Sequence, residues 1–308
     1  PRSTPMLNRR QRQMCIRDRL MTTSPNLGVI IPPSIGMILY SMISNVSLEG
    51  LFLTGFLPGI LIMFGVCVYT YFVFLKKIDI VRKPIPSLRE LLLVLKDGFW
   101  ALMLPVIIFG GIFSGAFTAN EAAVVACVYA LIVELFIYKT VKFRDVKKIT
   151  VSSAVTSATL LIIVAGATCF GRLLTLENIP GKITETVLAA IDSPVLFLLA
   201  MNMLLLFVGM FMDIISATMI LGPVFLPMLD AFDINWMHFG LILTVNLAIG
   251  YCTPPMGVSL YITGAISNKN LIYVSKAVIP FIAIQIAVLF FITYFPEAVL
   301  WMPRFMGF

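Results

Sequence analysis

Long uncharged apolar segments constrain this chain more than any other feature. Residues 51–75 and 239–265 contain no charged side chain, and each exceeds the roughly 20 residues that a helix needs to cross the hydrocarbon core of a bilayer. Across the whole chain, 60% of the residues are hydrophobic and 12% are charged, against about 25% charged in soluble proteins. The sequence therefore predicts an all-α polytopic membrane protein and excludes a secreted domain, a disordered chain and an ordinary cytosolic enzyme. A membrane β-barrel is excluded as well, because the apolar runs are continuous rather than alternating.

Further apolar segments alternate with charged loops. They cover residues 98–117, 119–138, 151–171, 194–212, 214–229 and 277–296. Segment 214–229 is short and interrupted by proline, so we interpret residues 194–229 as a re-entrant helical hairpin that enters and leaves on one face of the membrane. The stretch from Ser87 to Asp97 is interpreted as a short amphipathic helix at the membrane interface. Together with a first crossing within residues 23–50, these segments predict seven crossings and one hairpin.

The distribution of charge orients these spans. Thirteen of the sixteen basic residues after position 20 lie in loops 76–96, 139–148 and 269–276, which the hairpin interpretation puts on one side. The positive-inside rule makes that side cytoplasmic and predicts a C-terminus outside the cytoplasm. A complete crossing by residues 194–212 would turn the last basic loop outward. The net charge of +7 does not indicate a nucleic-acid partner, because most of it comes from the arginines of the first 20 residues.

Two segments far apart in the chain share one pattern. Residues 26–40 read NLGVIIPPSIGMILY and residues 246–261 read NLAIGYCTPPMGVSLY. Each contains G-x-x-x-P-P, from Gly28 to Pro33 in the first copy and from Gly250 to Pro255 in the second. The span count makes the first copy run outward and the second inward. This is the inverted-topology repeat of secondary transporters.

Consecutive prolines unwind a helix, because each lacks an amide hydrogen and clashes with the preceding turn. In lipid, the freed carbonyl groups are costly unless they line a cavity or bind something. Such carbonyls suit Na⁺, and the half-helix that follows offers its positive N-terminus to an anion. The predicted ion- or substrate-binding residues are Gly28, Pro32, Pro33 and Ser34 in the first copy, and Asn246, Gly250, Thr253, Pro254 and Pro255 in the second. The alternative is a pair of simple proline kinks that neighbouring helices relieve.

The predicted hairpin contains an acidic residue within apolar sequence. Asp213 lies in GMFMDIISATMILGPVFLP, residues 209–227, and an ionisable group inside a span marks a functional site by default. Ser216 and Thr218 add two hydroxyl groups to the predicted ion or substrate site. Asp213 can also cap the outgoing arm of the hairpin, and both roles can coexist.

Other polar residues receive structural interpretations. Thr118 and Glu121 have the spacing of a capping box. His238 lacks a second ligand at metal spacing and is interpreted as an interfacial residue beside Trp236. The cysteines of the apolar segments are interpreted as small core side chains; they are Cys67, Cys127, Cys169 and Cys252. No metal site, nucleotide-binding loop or catalytic motif is found, so we predict neither a cofactor nor an enzyme.

Five segments together resemble a known family. They are GVIIPPSIGMILYSMIS (28–44), LFLTGFLPGIL (51–61), GGIFSGAFTANEAAVVACVYAL (110–131), GMFMDIISATMILGPVFLP (209–227) and HFGLILTVNLAIGYCTPPMGVSLY (238–261). In this order they resemble the large membrane subunit of tripartite ATP-independent periplasmic (TRAP) transporters, from about residue 24 to 308.

The resemblance implies an elevator-type permease of the bacterial inner membrane. Its coupling ion would be Na⁺, and its substrate a small carboxylate such as a C4-dicarboxylate or a sialic-acid-like compound. Its protein partners would be a small four-helix membrane subunit and a soluble periplasmic substrate-binding protein. The subunit would lie in the lipid bilayer, and no nucleic-acid partner is expected. The C-terminus would be periplasmic.

The resemblance also predicts how the chain is divided. The family has earlier spans and a first hairpin, with a Ser-Gly-Ser-Ser-like tip, before the first Pro-Pro loop, so the chain resembles the C-terminal two-thirds of the subunit. The arginine-rich composition of residues 1–22 predicts a foreign or disordered tail, with a genuine basic cytoplasmic tail as the alternative. The other predicted regions are a discontinuous helix of the first repeat (23–50), scaffold and arm helices (51–148), a second-repeat transport region (149–276) and a C-terminal helix (277–308). The transport region contains the hairpin 194–229 and the discontinuous helix 239–265.

Three alternatives remain open from the residues. One is a stand-alone cation-coupled carboxylate transporter with the same inverted-repeat fold, which would need no binding protein. Another is a membrane scaffold that transports nothing and does not respond to ions. An intramembrane enzyme is the third, although no paired acid–base or metal constellation supports it.

Overall fold

The computed structural model describes residues 20–73, 87–255, 257–267 and 270–307, and this part of the chain is helical without any strand. This confirms the predicted all-α class. The helices are α1 (residues 20–30), α2 (Ile35–Ser44), α3 (Leu48–Val73), α4 (Leu88–Phe113), α5 (Ala119–Ile132), α6 (Phe143–Leu176), α7 (Ile179–Ala190), α8 (Pro194–Gly209), α9 (Ile214–Ala231), α10 (Trp236–Gly250), α11 (Val258–Ser267), α12 (Leu271–Tyr294) and α13 (Pro296–Phe305). The tail predicted over residues 1–22 lies outside the described residues except for 20–22, which are helical.

Seven helical stretches in the described part are long and apolar enough to cross a membrane. They are Leu20–Ser44 (α1 with α2), Leu48–Val73, Leu92–Phe113, Ala119–Ile137, Phe143–Leu176, Ile214–Ala231 and Leu271–Tyr294. Helix α8 has 16 residues and α10 has 15, so each rises only about 22–24 Å at 1.5 Å per residue. Both are shorter than the roughly 30 Å hydrocarbon core. The chain is thus a multi-pass membrane protein that also contains apolar helices shorter than the hydrocarbon core.

Two helices extend beyond the predicted spans. The expected interfacial helix and the span after it form one helix, α4, which begins where Ser87 and Glu90 make a capping box. Its C-terminal boundary is Phe113, before Gly115 with φ of +72°. Helix α6 likewise begins at Phe143, ahead of the predicted span 151–171. The first turns of both helices contain charged residues, which can be helical but lower the hydropathy. Hydropathy alone therefore predicted helix starts that are too late in the sequence.

The chain divides into two compact units, which are described separately. Of the described residues, the first unit comprises 20–73 and those from 163 onward, and the second comprises 87–162. In the first unit, α3 packs against α2, α10, α12 and α13. Glycines of α3, such as Gly55 and Gly59, allow this close packing. The assignment of residues 51–75 to the scaffold helices stays a prediction.

The second unit contains α4, α5 and the first half of α6. A π-helical turn, Val133–Ile137, continues α5. Two tyrosine hydroxyl groups join this helix to α4: Tyr129 Oη of α5 donates to Trp100 O at 2.8 Å, and Tyr138 Oη, just after the π-helical turn, donates to Asp97 O at 2.8 Å. Most of its large apolar side chains are exposed, as expected for helices whose surroundings are lipid or other membrane helices.

The prediction that the cysteines of the apolar segments are core side chains is wrong for three of the four. Cys252 is buried, whereas Cys67, Cys127 and Cys169 are exposed. The reason is that the surface of a membrane helix is as apolar as its core, so an apolar neighbourhood in sequence does not predict burial. His238 lies in the first turn of α10, where it is buried with its Nε2 2.8 Å from Ile292 O of α12. Its position at the membrane interface stays a prediction.

Candidate functional site

The first helix interruption lies between α1 and α2. Residues 31–34 leave the helix, and the Pro32–Pro33 peptide bond is cis. Helix α3 supports this interruption at close range, because a Cβ atom added to Gly55 would lie 2.5 Å from Ile30 O. The unwound stretch is shorter than the motif suggested: Gly28 lies within α1 and has no contact within 4 Å of a Cβ position.

The second interruption lies between α10 and α11. Gly250 is the last residue of α10, and the Pro254–Pro255 peptide bond is cis. Thr253 is half-buried, and its hydroxyl donates to Ile249 O at 2.8 Å. That hydroxyl oxygen keeps its acceptor capacity, while Pro254 and Pro255 are both exposed.

The hairpin tip joins α8 to α9 through residues 210–213. Asp213 is the N-cap of α9, and its Oδ2 accepts from the amide of Ser216 at 3.1 Å. Its side chain is exposed rather than enclosed. The capping role of Asp213 follows directly from this geometry, and it leaves one carboxylate oxygen available for other contacts.

Both ends of the tip lie against the start of the second interruption. On one side, Gly209 and Gly250 pack backbone to backbone, and a Cβ atom on Gly250 would overlap the Gly209 carbonyl group. On the other side, the amide of Ile214 donates to Tyr251 Oη at 3.1 Å. The tip is therefore fixed to the end of α10 by one glycine pair and one hydrogen bond.

The tip also contacts the first interruption. A Cβ atom added to Gly36 would lie 2.7 Å from Ile214 Cγ2, 3.6 Å from Thr244 Cγ2 and 3.8 Å from Ser34 Oγ. The structure thus brings Ser34, the tip at Asp213–Ile214 and the start of the second interruption into one neighbourhood. Contacts between α2 and α9 and between α8 and α10 surround it.

Two hydroxyl groups in this neighbourhood are buried without a hydrogen-bond partner in the described part of the chain. They are Ser34 Oγ and Thr218 Oγ1, on residues that are 1% and 0% exposed. Thr218 lies one helical turn after Ile214 and therefore on the same face of α9. A buried hydroxyl group without a partner costs about 1–3 kcal/mol, so both oxygens are suited to an ion, a water molecule or a substrate group.

The N-terminal amides of α9 and α2 differ in whether protein side chains accept hydrogen bonds from them. In α9, Tyr251 and Asp213 already accept from the amides of Ile214 and Ser216. Ser34 is the N-cap residue of α2, but its side chain makes no capping hydrogen bond. Of these two helix starts, α2 therefore has more amides available to an anion.

Buried amide side chains connect the supporting helices. Asn246 Nδ2 donates to Asn202 Oδ1 at 2.7 Å, and Asn202 Nδ2 donates to Thr293 Oγ1 at 3.1 Å. Asn26 Nδ2 donates to Gln285 Oε1 at 2.9 Å. Asn246 Oδ1 and Gln285 Nε2 have no partner in the described residues. Asn246 was predicted as a site residue, and the structure puts it in this network rather than in the unwound stretch.

The sequence reasoning missed three residues of this region: Tyr251, Asn202 and Gln285. A signal existed for the two amides, since each is a polar side chain within an apolar span. Tyr251 gave no signal, because an aromatic residue is common in membrane helices.

The remaining predicted polar residues lie outside this site. Thr118 and Glu121 form a reciprocal capping box in the second unit, with Glu121 Oε2 accepting from Thr118 N at 2.8 Å. The described residues contain no group of three potential metal ligands among His, Cys, Asp and Glu.

Comparison with known proteins identifies a family. Residues 5–298 match the family described as the DctM component of the tripartite ATP-independent periplasmic transporters. The C4-dicarboxylate TRAP transporter large permease protein DctM of Pseudomonas aeruginosa is 37% identical over 289 residues, which cover 94% of this chain and 67% of that protein.

Two further relatives carry different substrate names. The sialic acid TRAP transporter permease protein SiaT of Haemophilus influenzae is 34% identical, over 90% of this chain and 45% of its own length. The isethionate TRAP transporter permease protein DctMQ of Oleidesulfovibrio alaskensis is 36% identical, over 88% and 42% respectively. The chain thus spans about two thirds of the first relative and under half of the other two.

Proposed function

The chain belongs to the DctM family of TRAP transporter components, and we propose that it acts in a sodium-driven, binding-protein-dependent importer of small organic acids. In this proposal it resides in the bacterial inner membrane with its C-terminus in the periplasm. Its partners are a small four-helix membrane subunit and a periplasmic substrate-binding protein. The relatives named for C4-dicarboxylate, sialic acid and isethionate support an organic anion as the substrate class.

The buried hydroxyl groups of Ser34 and Thr218 are the observation that carries this proposal. Natural proteins pair almost all buried polar groups, so two unpartnered hydroxyl oxygens beside a broken helix and a hairpin tip favour a ligand that supplies the missing contact. Sodium takes oxygen ligands of this type, and the freed carbonyl groups near both Pro-Pro pairs add more. The first amides of α2 favour the negative charge of a carboxylate.

In the elevator form of this mechanism, the unit that carries the two interruptions and the hairpin moves as one body across the membrane. Sodium and substrate would bind together at the neighbourhood of Ser34, Thr218 and Thr253. The tip contacts at Gly250 and Tyr251 would keep the hairpin and the second interruption together during this movement.

A thermal unfolding experiment tests the sodium site. Ser34→Ala and Thr218→Val are compared with the native chain in sodium chloride and in choline chloride. Without sodium, both variants should unfold at or slightly above the native temperature, because each loses only an unpartnered hydroxyl group. With sodium, the native chain should be stabilised, and a tenfold weaker site would lower that stabilisation by about 1.4 kcal/mol at saturating sodium.

Ser44→Ala is the matched control, since the Ser44 hydroxyl is buried but donates to Tyr40 O at 2.8 Å. The Ser44→Ala variant should be less stable than the native chain by the same amount in sodium chloride and in choline chloride. An unchanged sodium response in both Ser34→Ala and Thr218→Val would overturn the assignment of the ion site.

Transport is tested in vesicles that contain the complete permease with its membrane partner and its binding protein. Thr253→Ala and Asp213→Ala should each weaken sodium-dependent uptake of an organic acid. Uptake that remains unchanged in both variants contradicts the site, whereas uptake that needs no binding protein favours the stand-alone transporter.

A further inference from the structure

A groove on the first unit is not used by the proposed transport site. Its volume is about 410 Å³, and its walls come from α2, α6 and α9. Ile43, Thr168, Arg172, Thr175, Pro223 and Leu226 are among the residues that line it. We call it the Arg172 groove.

The floor of the Arg172 groove is apolar. Leu39, Ala167 and Met219 form a buried cluster there, and Ile43 and Val164 pack against it. In a membrane, a concave apolar surface of this kind is covered by lipid chains or by another helix.

One uncompensated positive charge lies in this apolar groove. Arg172 is exposed and makes no ion pair or hydrogen bond with any described residue. An arginine binds phosphate through two parallel charge-assisted hydrogen bonds. Charge complementarity therefore favours an anionic occupant over a neutral helix of another protein.

Hydrogen-bond acceptors surround the arginine. The Thr168 and Thr175 hydroxyl groups donate to Val164 O and Gly171 O of their own helix, which leaves both oxygens free to accept. Pro223 and Pro227 have no amide hydrogen, so each leaves a carbonyl group one turn earlier without its usual partner. Such acceptors match the hydroxyl donors of a glycerol headgroup.

The groove lies near the C-terminal ends of the three helices that form it. Helices α2, α6 and α9 end at residues 44, 176 and 231, and the positive-inside orientation makes all three run toward the periplasm. Arg172 would thus lie at the level of the outer headgroups, with the apolar floor at the depth of the acyl chains. We propose that the Arg172 groove binds an anionic glycerophospholipid of the outer leaflet, with its phosphate on Arg172 and one acyl chain on the floor.

The purified full chain in detergent tests this proposal through binding of phosphatidylglycerol, measured by native mass spectrometry and by thermal shift. Arg172→Gln should bind phosphatidylglycerol at least about tenfold more weakly than the native chain, and Arg172→Lys should retain part of the affinity. Arg304→Gln is the control, because Arg304 is also exposed but pairs with Glu297 at 2.6 Å. It should bind like the native chain.

A second variant tests the acyl-chain contact without changing charge. Gly171→Leu fills the groove from α6, where a Cβ atom would be 3.8 Å from the nearest atom, Pro223 Cγ. It should keep its helical content by circular dichroism and lose phosphatidylglycerol binding. Equal binding by native chain, Arg172→Gln and Gly171→Leu would overturn the proposal. Equal binding of phosphatidylcholine or of glycerol phosphate alone would also overturn it, since phosphatidylcholine has no net negative charge and glycerol phosphate has no acyl chains.

Discussion

At the hairpin tip, single side chains satisfy the backbone groups that a helix start leaves open. Asp213 accepts from the amide of Ser216, and Tyr251 accepts from the amide of Ile214. Ile214 is only 4% exposed, so its amide would otherwise be buried without a partner. The two contacts use groups from different helices and thereby tie the start of α9 to the end of α10.

Two substitutions distinguish the capping role of Asp213 from the effect of its negative charge. Asp213→Ala should destabilise the chain by about 1 kcal/mol through loss of the N-cap acceptor. Asp213→Asn keeps an acceptor and should restore most of that stability in thermal unfolding. If Asp213→Asn nevertheless lost sodium-dependent stabilisation, the carboxylate charge would contribute to the ion site in addition to the cap. Equal stability of the alanine variant and the native chain would contradict the cap.

The hydrogen bond from Ile214 to Tyr251 is tested by Tyr251→Phe. This variant keeps the ring but removes the acceptor, which leaves a buried amide unsatisfied at a cost of about 1–3 kcal/mol. We expect lower thermal stability and faster hydrogen exchange in a peptide that contains residues 210–216. Tyr261→Phe is the control, because Tyr261 is 53% exposed and should change neither measurement.

At the scale of elements, the two interrupted helices share a motif but pack differently. The first interruption lies against α3 through Gly55, whereas the second lies against the hairpin through the pair Gly209–Gly250. The same Gly-x-x-x-Pro-Pro sequence therefore gives the two leading glycines unequal roles. Gly250 is a contact point between backbones, and Gly28 is an ordinary helical position.

Replacing Gly250 or Gly28 by alanine should change the stability of the chain in opposite directions. Gly250→Ala drives a methyl group into the Gly209 backbone, which cannot move aside as a side chain can, and should cost at least about 2 kcal/mol. Gly28→Ala meets no atom within 4 Å and should stabilise the helix by about 0.5–1 kcal/mol. Thermal unfolding of the two variants measures this difference, and similar effects at both positions would show that the two interruptions pack alike.

At the scale of the whole molecule, the orientation of the chain rests on its basic loops. Residues 139–148 should face the cytoplasm and the C-terminus should face the periplasm. A cysteine at Thr140, in a variant without the native cysteines, should react with a membrane-impermeant maleimide only after the cells are opened. Alkaline phosphatase fused after residue 308 should be active. An inactive fusion together with labelling of Thr140→Cys in intact cells would reverse the orientation and with it the leaflet assigned to the Arg172 groove.

Much of the fold could be predicted from local sequence. Uncharged runs predict the helices, and the predicted apolar segments 194–212 and 214–229 correspond closely to α8 (Pro194–Gly209) and α9 (Ile214–Ala231). Their re-entrant course stays a prediction, since α9 is long and apolar enough to cross a membrane. Helix boundaries such as the start of α4 were less predictable. Hydropathy detects the apolar part of a helix but not the turns that continue it into polar sequence. Membrane helices are apolar on their surfaces as well as in their core, so the exposed positions of Cys67 and Cys169 could not be inferred.

The sequence by itself determined the all-α membrane class, the two proline interruptions and the one-sided distribution of positive charge, since each depends only on residues close together in the chain. The tertiary structure alone decided which groups meet. Tyr251 reaches Ile214, Gly250 meets Gly209, and Ser34 and Thr218 are buried without partners only because α2, α8, α9 and α10 pack together. Contacts between residues far apart in the chain depend on the packing of whole helices, and no local pattern encodes them.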